Sequence, residues 1–387
     1  MKICFVHDYL NQFGGAERTL KAMHEIWPDA PIYTTLVDWN IVDLLGIPRG
    51  AIRYPKWLNF PLISRFYKYF TLFYPLVFEG FALSEFDFVV STSANFSKGI
   101  VTGADQVHVN YCFTPPRFLY HLPTESNKRG SLFWRLVLAP VDFCLRMWDY
   151  VAAQRVDHFI ADSKTVARRI SKFYGRRSVV IYPPVDVKSK LKSMPRSETF
   201  RGQKLKVIEL KEYYLVVSRL SAYKNIDLII RACSQLNRPL KIVGTGPEEG
   251  RLKKLAREQG GLIEFLGFVP DEQLADLYAR CKAFALATSD EDFGIVPVEA
   301  MGFGRPVIAL RSGGVTETVL EGETGIFFDS PTVESLVDAI KEFESREYFQ
   351  TEDCFNVCRR HAEKFGKERF QKEFREYVES VQLIEKV

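Results

Sequence analysis

The sequence predicts an α/β protein made of two doubly wound Rossmann-like domains that face each other across a cleft, and three observations support this. Apolar runs of strand length alternate with segments of helical periodicity. Most runs are apolar throughout, as expected of parallel strands that helices cover on both faces. The chain has 387 residues, more than one ordinary core accommodates, so we expect two domains.

The alternation is clearest in the C-terminal half. Its predicted strands are Tyr213–Val217, Leu240–Val243, Leu262–Leu266, Ala283–Ala287 and Pro306–Leu310. The helical patterns between them are Asn225–Leu236, Glu248–Glu258, Asp271–Arg280 and Val296–Phe303.

The N-terminal half begins in the same way, with a predicted strand at Ile3–Val6 and a helix from Gly15 to about Trp27. A helix is also predicted over Ser163–Tyr174, where the Ser163 hydroxyl suits an N-cap. Further strands are predicted at Ile32–Leu36, Phe86–Val90, Val107–Tyr111 and His158–Ala161.

A hinge is predicted between the halves. The apolar run Val179–Val185 ends at two prolines, and a Lys-, Ser- and Arg-rich stretch follows to about Lys204. We therefore expect an N-terminal domain over residues 1–190 and a second domain over 205–365. Residues 366–387 carry an apolar stripe at helical spacing, which predicts a terminal helix that packs back on the first domain.

The composition excludes several classes of protein. With 47% hydrophobic and 26% charged residues, the chain is not disordered, collagen-like or a disulfide scaffold. The charge balance, 52 basic minus 48 acidic residues, gives +4, too little to indicate nucleic-acid binding. Seven scattered cysteines fit free thiols in a reducing compartment. The sequence shows neither a signal peptide nor a membrane-spanning run, so we expect a cytoplasmic protein.

Glycine-rich loops follow four predicted strands. They contain Gly14-Gly15, Gly244 to Gly246, Gly294 and Gly313-Gly314. Ligands of open α/β sheets bind at the carboxyl ends of strands, where helix N-termini present free N–H groups. Four such loops favour anion or nucleotide binding over the alternative, plain tight turns.

Two cations accompany these loops. Arg219 stands at the end of a predicted strand, and Lys224 follows five residues later, ahead of a helix. Together they suit a diphosphate, Arg219 through its planar guanidinium and Lys224 as a point charge. The alternative is two solvated surface cations.

The most specific pattern is EDFGIVPVEAMGFGRPVIA, in which Glu291 and Glu299 are eight positions apart. A helix is predicted from about Val296, so Glu299 lies in its first or second turn, near the positive end of the helix dipole. Two carboxylates that accept hydrogen bonds suit a sugar and a ribose. The alternative is that Glu299 caps its own helix while Glu291 faces water.

The order of these motifs resembles glycosyltransferase family 4, which has the GT-B fold, and the resemblance covers nearly the whole chain. The sequences of EDFGIVPVEAM and of the segment from Tyr111 to Arg117 are most similar to those of bacterial and archaeal mannosyltransferase-like members that build surface polysaccharides. The motifs that carry it are Gly14-Gly15, Arg219…Lys224, Gly244-Thr245-Gly246-Pro247, Leu266-Gly267-Phe268, Glu291…Glu299 and Ser312-Gly313-Gly314.

The resemblance implies a retaining transfer of a sugar from a nucleotide diphosphate donor, GDP-mannose or a UDP-sugar, to a glycan or lipid-linked acceptor. No metal and no cofactor is implied. Arg219 and Lys224 would neutralise the leaving diphosphate, Glu291 would contact the donor sugar, and Glu299 the ribose. The other implied donor-binding residues are Gly14, Gly15, Gly244, Gly246, Phe268, Val269, Asp292, Phe293, Gly294 and Ile295, with Phe268 and Val269 near the nucleobase.

One position departs from the family pattern. Many relatives carry a histidine before the Thr-Pro-Pro turn, and this chain has Phe113 there. Phenylalanine neither donates a hydrogen bond nor takes a proton. Either Asn110, His108 or His121 supplies the contact, or the reactivity is altered. A non-catalytic nucleotide-sugar-binding protein is therefore the alternative function.

Three further patterns have competing interpretations. Arg53–Phe78 contains Arg53, Lys56, Arg65 and Lys68 among aromatic residues, which suits either an anionic membrane surface or a helix pair packed on the first domain. Asp290-Glu291-Asp292 would alternatively hold a divalent metal, although the second glutamate favours the metal-free arrangement. Cys354, Cys358 and His361 share a helix face, but zinc normally takes four ligands, which favours an ordinary helix face.

Overall fold

A computed structural model of the chain describes residues 2–59, 70–124, 132–186 and 213–384. The polar stretch up to Lys204, together with Arg65 and Lys68, lies outside these ranges. The chain divides into two compact units. The first comprises Met1–Leu122, Lys128–Pro184 and Lys367–Val387, and the second comprises Pro123–Asn127 and Val185–Gly366.

The first unit is built on a parallel sheet of seven strands in the order β5-β3-β1-β6-β7-β8-β9, beside a two-stranded ladder of β2 and β4. The strands are β1 Ile3–His7, β2 Tyr9–Leu10, β3 Ile32–Tyr33, β4 Leu36–Val37, β5 Ile52–Arg53, β6 Phe88–Ser93, β7 Val107–Cys112, β8 His158–Ala161 and β9 Ser178–Val180. The helices that the structure describes before the second unit are α1 Gly15–His24, α2 Trp39–Leu45, α3 Tyr74–Glu79, α4 Leu132–Gln154 and α5 Lys164–Tyr174.

The second unit is built on a parallel sheet of six strands in the order β12-β11-β10-β13-β14-β15. The strands are β10 Tyr214–Val217, β11 Leu240–Val243, β12 Ile263–Gly267, β13 Ala283–Leu286, β14 Val307–Leu310 and β15 Gly325–Phe328. Its helices are α6 Ile226–Gln235, α7 Glu249–Gln259, α8 Asp271–Arg280, α9 Ile295–Gly302, α10 Val315–Thr318, α11 Val333–Ser345 and α12 Glu352–Glu363.

The final helix, α13 (Lys367–Ile384), belongs to the first unit. Its stripe Phe370, Phe374, Val378 and Val381 is buried in one cluster with Phe5 of β1. This contact confirms the prediction that the terminal helix packs back on the first domain.

Alternating residues of β1 separate the two faces of the first sheet. Phe5 packs in the cluster that contains α13, whereas Cys4 and Val6 pack in a cluster with Tyr74 of α3 and Leu145 of α4. Successive side chains of a strand point to opposite faces. Helices α3 and α4 therefore cover the face opposite α13.

The predicted α/β class with two parallel sheets is confirmed, and several elements differ from the sequence prediction. The predicted strand Ile32–Leu36 divides into β3 and β4, and between them the Thr35 hydroxyl donates to the carbonyl of Asp8 at 2.7 Å. Strand β15 was not predicted, and it begins at Gly325. A Cβ there would lie 2.1 Å from the carbonyl oxygen of Val307, so the neighbouring strand requires glycine.

Candidate functional site

The candidate site is at the carboxyl edge of the sheet in the second unit. Strands β10, β11, β13 and β14 are parallel, so they all end at this edge. The loops that follow them carry Arg219, Gly244, Glu291 and Gly313. Topology thus places the second-unit motifs together, in the position where open α/β sheets bind ligands.

Lys224 and Glu291 form an ion pair at this edge. The Lys224 Nζ donates to the Glu291 Oε2 at 2.9 Å, and the two side chains are 15% and 16% exposed. The Lys224 ammonium also lies 4.9 Å from the ring centroid of Tyr223. Partial burial strengthens the attraction relative to a fully solvated pair. The structure therefore joins two of the predicted catalytic residues directly.

Asn225 attaches the turn of Lys224 to the loop of Glu291. It adopts a left-handed backbone with φ 48°, and its Nδ2 donates to the carbonyl of Ala287 at 2.9 Å and to the Ser289 hydroxyl at 2.8 Å. Asparagine tolerates this conformation better than most residues. The lysine turn and the end of β13 are thereby held together independently of the ion pair.

Arg219 is exposed in the loop after β10. The backbone of the next residue, Leu220, donates to Thr245 at 2.9 Å and accepts from Glu248 at 3.0 Å. These two bonds fasten the arginine loop to the glycine loop after β11.

Gly244 and Gly246 make that approach possible. A Cβ on Gly244 would lie 2.0 Å from the Ser218 carbonyl oxygen, and a Cβ on Gly246 would lie 2.4 Å from that of Leu220. Because these glycines have no Cβ, the backbone of the arginine loop can lie close to them. A Gly-rich loop at this sheet edge thus sets the position of Arg219.

Gly313 and Gly314 hold the Glu291 loop in the same way. The Gly314 amide donates to the Glu291 carbonyl at 2.7 Å, and the Ser312 hydroxyl accepts from the Asp290 amide at 2.8 Å. Gly313 has φ 79°, and a Cβ there would lie 2.1 Å from the carbonyl oxygen of Glu291. The Ser-Gly-Gly motif therefore fixes the backbone that carries the first glutamate.

Glu299 is in the second turn of α9 and is 4% exposed. The hydroxyl of Tyr278, a fully buried residue of α8, donates to the Glu299 Oε2 at 3.1 Å. The N-cap of α9 is Gly294, with φ 93°, so Glu299 does not cap its own helix. Tyr278 is a partner that sequence reasoning missed, because nothing local links it to a glutamate 21 residues away.

The remaining predicted donor-binding residues of the second unit differ in exposure. The Phe293 side chain is 2% exposed and its ring centroid is 5.6 Å from that of Phe365, so only its backbone is available to a ligand. Phe268, in contrast, is 74% exposed after Gly267. Asp292, Ile295 and Val269 are half-buried.

Gly14 and Gly15 begin α1 in the first unit, where a buried glutamate supports them. The Glu17 Oε2 accepts from the Gly14 amide at 3.0 Å, and its Oε1 is 3.9 Å from the His7 Nε2. His7 and Glu17 are each 2% exposed, and the His7 Nδ1 is 2.7 Å from the Thr92 hydroxyl. Glu17 was not predicted, although a glutamate three residues after an N-cap is a recognised pattern.

Asp8, beside His7, has a structural part to play. Its carboxylate accepts from four consecutive backbone amides, those of residues 94–97, at 2.7–2.8 Å. Four such bonds compensate for the burial of a carboxylate that is 5% exposed. Asp8 therefore fixes the loop after β6.

Asn110, His108 and His121 were the candidates for the contact that Phe113 cannot make, and their environments differ. His108 and Asn110 are fully buried in β7, with the His108 Nε2 and the Asn110 Nδ2 each 2.7 Å from the Ser91 hydroxyl. Burial lowers the pKa of His108 to about 3. Of the three candidates, only His121 is exposed.

Cys354, Cys358 and His361 lie together on α12 and face carbonyl groups. The His361 Nε2 is 2.8 Å from the carbonyl of Thr318, and the two thiols donate to carbonyls of Glu323 and Thr324 at 3.6 and 3.9 Å. Within the described ranges, no three His, Cys, Asp or Glu side chains are grouped as metal ligands. These contacts attach α12 to the segment before β15.

Solved structures share this architecture over nearly the whole chain. A sucrose-phosphate synthase from Thermosynechococcus elongatus superposes with a TM-score of 0.71 at 16% identity, covering 98% of this chain and 100% of that one. Anabaena HepE, solved in complex with UDP, superposes with a TM-score of 0.67 at 20% identity, with the same coverage. The fold is that of the GT-B glycosyltransferases.

The sequence comparisons agree with this GT-B fold. Residues 198–366 match the family model described as "Glycosyl transferases group 1". The Mycolicibacterium smegmatis protein named GDP-mannose-dependent alpha-(1-6)-phosphatidylinositol monomannoside mannosyltransferase is 37% identical over 138 residues, which are 32% of this chain and 36% of the relative. Human alpha-1,3/1,6-mannosyltransferase ALG2 is 28% identical over 292 residues, or 69% of this chain and 66% of the relative. The matches thus span from about a third to two thirds of these two relatives.

Proposed function

We propose that the chain is a retaining, metal-independent glycosyltransferase of family 4. In this proposal it transfers mannose from GDP-mannose to a glycan or lipid-linked acceptor on the cytoplasmic side of a membrane. The observation that carries the proposal is the Lys224–Glu291 ion pair at the carboxyl edge of a GT-B sheet. In this proposal the Lys224 ammonium neutralises the diphosphate, and the adjacent Glu291 carboxylate accepts from the sugar hydroxyls.

The proposed chemistry places negative charge on the departing phosphate. The bond between the anomeric carbon and the diphosphate oxygen breaks while the acceptor oxygen bonds to the same face of that carbon. The acceptor hydroxyl proton passes to the leaving diphosphate. Arg219 and Lys224 stabilise the growing charge, and one well-placed group of this kind contributes roughly 3–4 kcal/mol to catalysis.

The two glutamates have separate proposed tasks. Glu299 accepts from the ribose hydroxyls, oriented by the Tyr278 hydroxyl at 3.1 Å. Glu291 accepts from the donor sugar, and its backbone is held by Gly314 at 2.7 Å. Fixed acceptors of this kind lose little freedom when the ligand binds.

The remaining donor contacts are proposed from the same resemblance. Exposed Phe268 and half-buried Val269 meet the nucleobase. Mannose is favoured because the names of the M. smegmatis and human relatives specify mannosyl transfer. A UDP-sugar is the second choice, because HepE was also solved in complex with UDP-glucose. That complex superposes on this chain with a TM-score of 0.65.

Transfer assays with purified protein test this proposal. GDP-mannose and UDP-glucose are each offered with an acceptor panel in the presence of EDTA, and NMR reports the anomeric configuration of the product. We expect turnover with one donor and retention of configuration. Replacing Arg219 and Lys224 by alanine should lower kcat at least about a hundredfold. The matched control replaces Lys254 and Arg257 by alanine, two exposed cations of α7, and should leave kcat unchanged.

Inversion of configuration, or a strict requirement for a divalent ion, would contradict the proposal. A second candidate function, nucleotide-sugar binding without catalysis, is motivated by Phe113, whose ring centroid lies 5.3 Å from that of Tyr111. That candidate predicts donor binding without turnover for every acceptor.

A further inference from the structure

Helix α4 exposes a long apolar face. Phe133, Leu136, Phe143 and Met147 are 64%, 67%, 60% and 53% exposed, and Tyr150 and Val151 are also exposed. The opposite side of the same helix is buried, with Leu145 and Ala153 in the clusters beneath. Several large apolar side chains exposed on one side of a helix indicate an interaction surface. We call the residues of this surface the α4 face: Phe133, Trp134, Leu136, Val137, Phe143, Met147, Tyr150 and Val151.

The chain around the start of α3 extends this apolar surface. Leu72, Phe73 and Leu76 are 47%, 54% and 67% exposed, so these three side chains are not part of the buried core. Tyr74 of α3 and Leu145 of α4 share one buried cluster on the same face of the sheet. The outward sides of α3 and α4 therefore belong to one outer layer.

Helix α5 adds positive charge to that layer. Its Val166 and Ile170 are buried in a cluster with Ala153 of α4, while Lys164, Arg168 and Lys172 are exposed at every fourth position. Spacing of four places these cations on one side of the helix. From Ser163 to Val185 the sequence contains no Asp or Glu.

We propose that this outer layer docks on a lipid bilayer that contains anionic lipids. The α4 face enters the boundary between headgroups and acyl chains, and the cations of α5 contact the lipid phosphates. Apolar residues beside a cationic helix are the combination that holds a protein in this interface. The proposal goes beyond the transfer reaction, because it concerns docking of the protein without substrate.

Charge and backbone chemistry favour a bilayer over a second copy of the chain. A second copy would bring the same three cations of α5 toward an identical basic layer, whereas anionic lipid supplies the opposite charge. Pro140 lies within α4 and is exposed beside the α4 face. Proline inside a helix removes a backbone hydrogen bond and kinks the axis, which opposes the regular packing of a helix pair.

The proposed membrane contact lies mostly outside the segment that the sequence indicated. Contact of Arg53–Phe78 with an anionic membrane was one of two interpretations of the sequence. The described part of that segment contributes Leu72, Phe73 and Leu76 to the outer layer. Helices α4 and α5 were not predicted to take part, because burial of their opposite faces was needed to identify the outward sides.

Cys144 provides a direct test. It is next to Phe143 and exposed, whereas the other six cysteines, all within described segments, are buried. A nitroxide attached to the native protein should therefore label Cys144 alone. Adding phosphatidylcholine vesicles with 30% phosphatidylglycerol should raise the accessibility of the label to oxygen and lower its accessibility to a polar nickel chelate. A control label at Lys254→Cys in a Cys144→Ser background should show no change.

Two sets of variants separate the apolar and charged contributions in a vesicle-flotation assay. Leu136→Ser with Phe143→Ser should weaken binding at least about tenfold, and Leu44→Ser with Leu262→Ser is the matched control at two exposed leucines. Reversal of Lys164, Arg168 and Lys172 to Glu should weaken binding on the order of a hundredfold. Reversal of Lys253, Lys254 and Arg257 in α7 should leave binding unchanged. Circular dichroism confirms that each variant is folded.

A label whose accessibility does not change with vesicles would overturn the proposal. Dipolar broadening of the Cys144 label without lipid, lost in the Leu136→Ser and Phe143→Ser variant, would also overturn it and assign the α4 face to a second copy. Neither result depends on sugar transfer, so the failure of this proposal is distinguishable from failure of the proposed function.

Discussion

The amide of Gly314 donates to the carbonyl of Glu291 at 2.7 Å, and so attaches the loop after β14 to the loop that carries a predicted catalytic glutamate. The neighbouring Gly313 pairs with Glu291 as an isolated parallel bridge. The Ser-Gly-Gly motif was predicted as a ligand-binding loop. Its contacts within the protein hold the backbone of Glu291, and this relationship leads to the first prediction.

Gly313→Ala should disturb the Glu291 loop and lower activity. Gly313 has φ 79°, and the new Cβ would lie 2.1 Å from a backbone oxygen, so the loop must move. We expect the free energy of unfolding to fall by more than about 2 kcal/mol and kcat/KM by at least about tenfold. Chemical denaturation and transfer assays measure the two effects.

Gly322→Ala is the matched control for that change. Gly322 has φ 77°, but the nearest atom to its Cβ would be the Arg346 Nη1 at 3.6 Å. It should lose about 1 kcal/mol of stability and keep full kcat/KM. Equal loss of activity in the two variants would contradict the positioning role of Gly313.

The Lys224–Glu291 pair should show energetic coupling in donor binding. Lys224→Ala and Glu291→Gln each remove one member of a pair that is mostly buried. In a double-mutant cycle measured by calorimetry with the donor, we expect a coupling free energy of roughly 0.5–3 kcal/mol. The exposed pair Lys253–Glu249, at 2.7 Å, is the control and should give almost none. Additive effects at Lys224 and Glu291 would show that they act independently on the donor.

Tyr278→Phe should weaken nucleotide binding through Glu299. The change removes the hydroxyl that donates to the Glu299 Oε2 in a buried site, and a lost buried bond of this kind costs about 1–3 kcal/mol. We expect lower stability together with at least about fivefold weaker affinity for the nucleotide.

Tyr213→Phe is the control, because its hydroxyl donates at 2.8 Å to the carbonyl of Leu277, a backbone acceptor. It should lower stability without changing affinity. If Tyr278→Phe also left affinity unchanged, the carboxylate of Glu299 would not depend on Tyr278 for its orientation.

His108 should make stability fall as the pH falls. Burial lowers its pKa from 6.5 to about 3, so the unfolded chain binds a proton that the folded chain excludes between those values. The contribution of the neutral imidazole to the free energy of unfolding is fully present above pH 6.5. It is lost toward pH 3, by about 1.4 kcal/mol per pH unit.

His108→Gln should therefore reduce the loss of stability between pH 6.5 and pH 4.5, as followed by urea denaturation. Exposed His121→Gln is the control and should keep the pH dependence of the original protein. An unchanged pH dependence in His108→Gln would contradict a neutral, buried imidazole.

Local patterns predicted most of the fold of the second unit. Strands such as Ala283–Leu286 and Val307–Leu310 are buried on both faces, so their apolar runs are distinctive, and the observed limits lie within one residue of the predicted ones. Strand β15 was missed, and its first residue, Gly325, is required by the closeness of Val307. That closeness depends on the neighbouring strand and has no local signal.

The candidate site was predictable only in part for the same reason. The spacing of Glu291 and Glu299 indicated two carboxylates, and the structure adds the partners Lys224 and Tyr278. Glu17 supports the Gly14 loop through a contact that the sequence suggests only once the helix start is known. Motif residues are visible in a sequence, whereas the side chains that orient them depend on tertiary structure.

The Glu299→Gln variant should lose affinity for GDP-mannose in a calorimetric titration, because the proposed function assigns the ribose hydroxyls to this carboxylate. We expect micromolar binding by the original protein and at least about a tenfold loss in the variant, with Glu272→Gln, an exposed glutamate of α8, unchanged. Undiminished binding of every nucleotide sugar by Glu299→Gln would contradict the account.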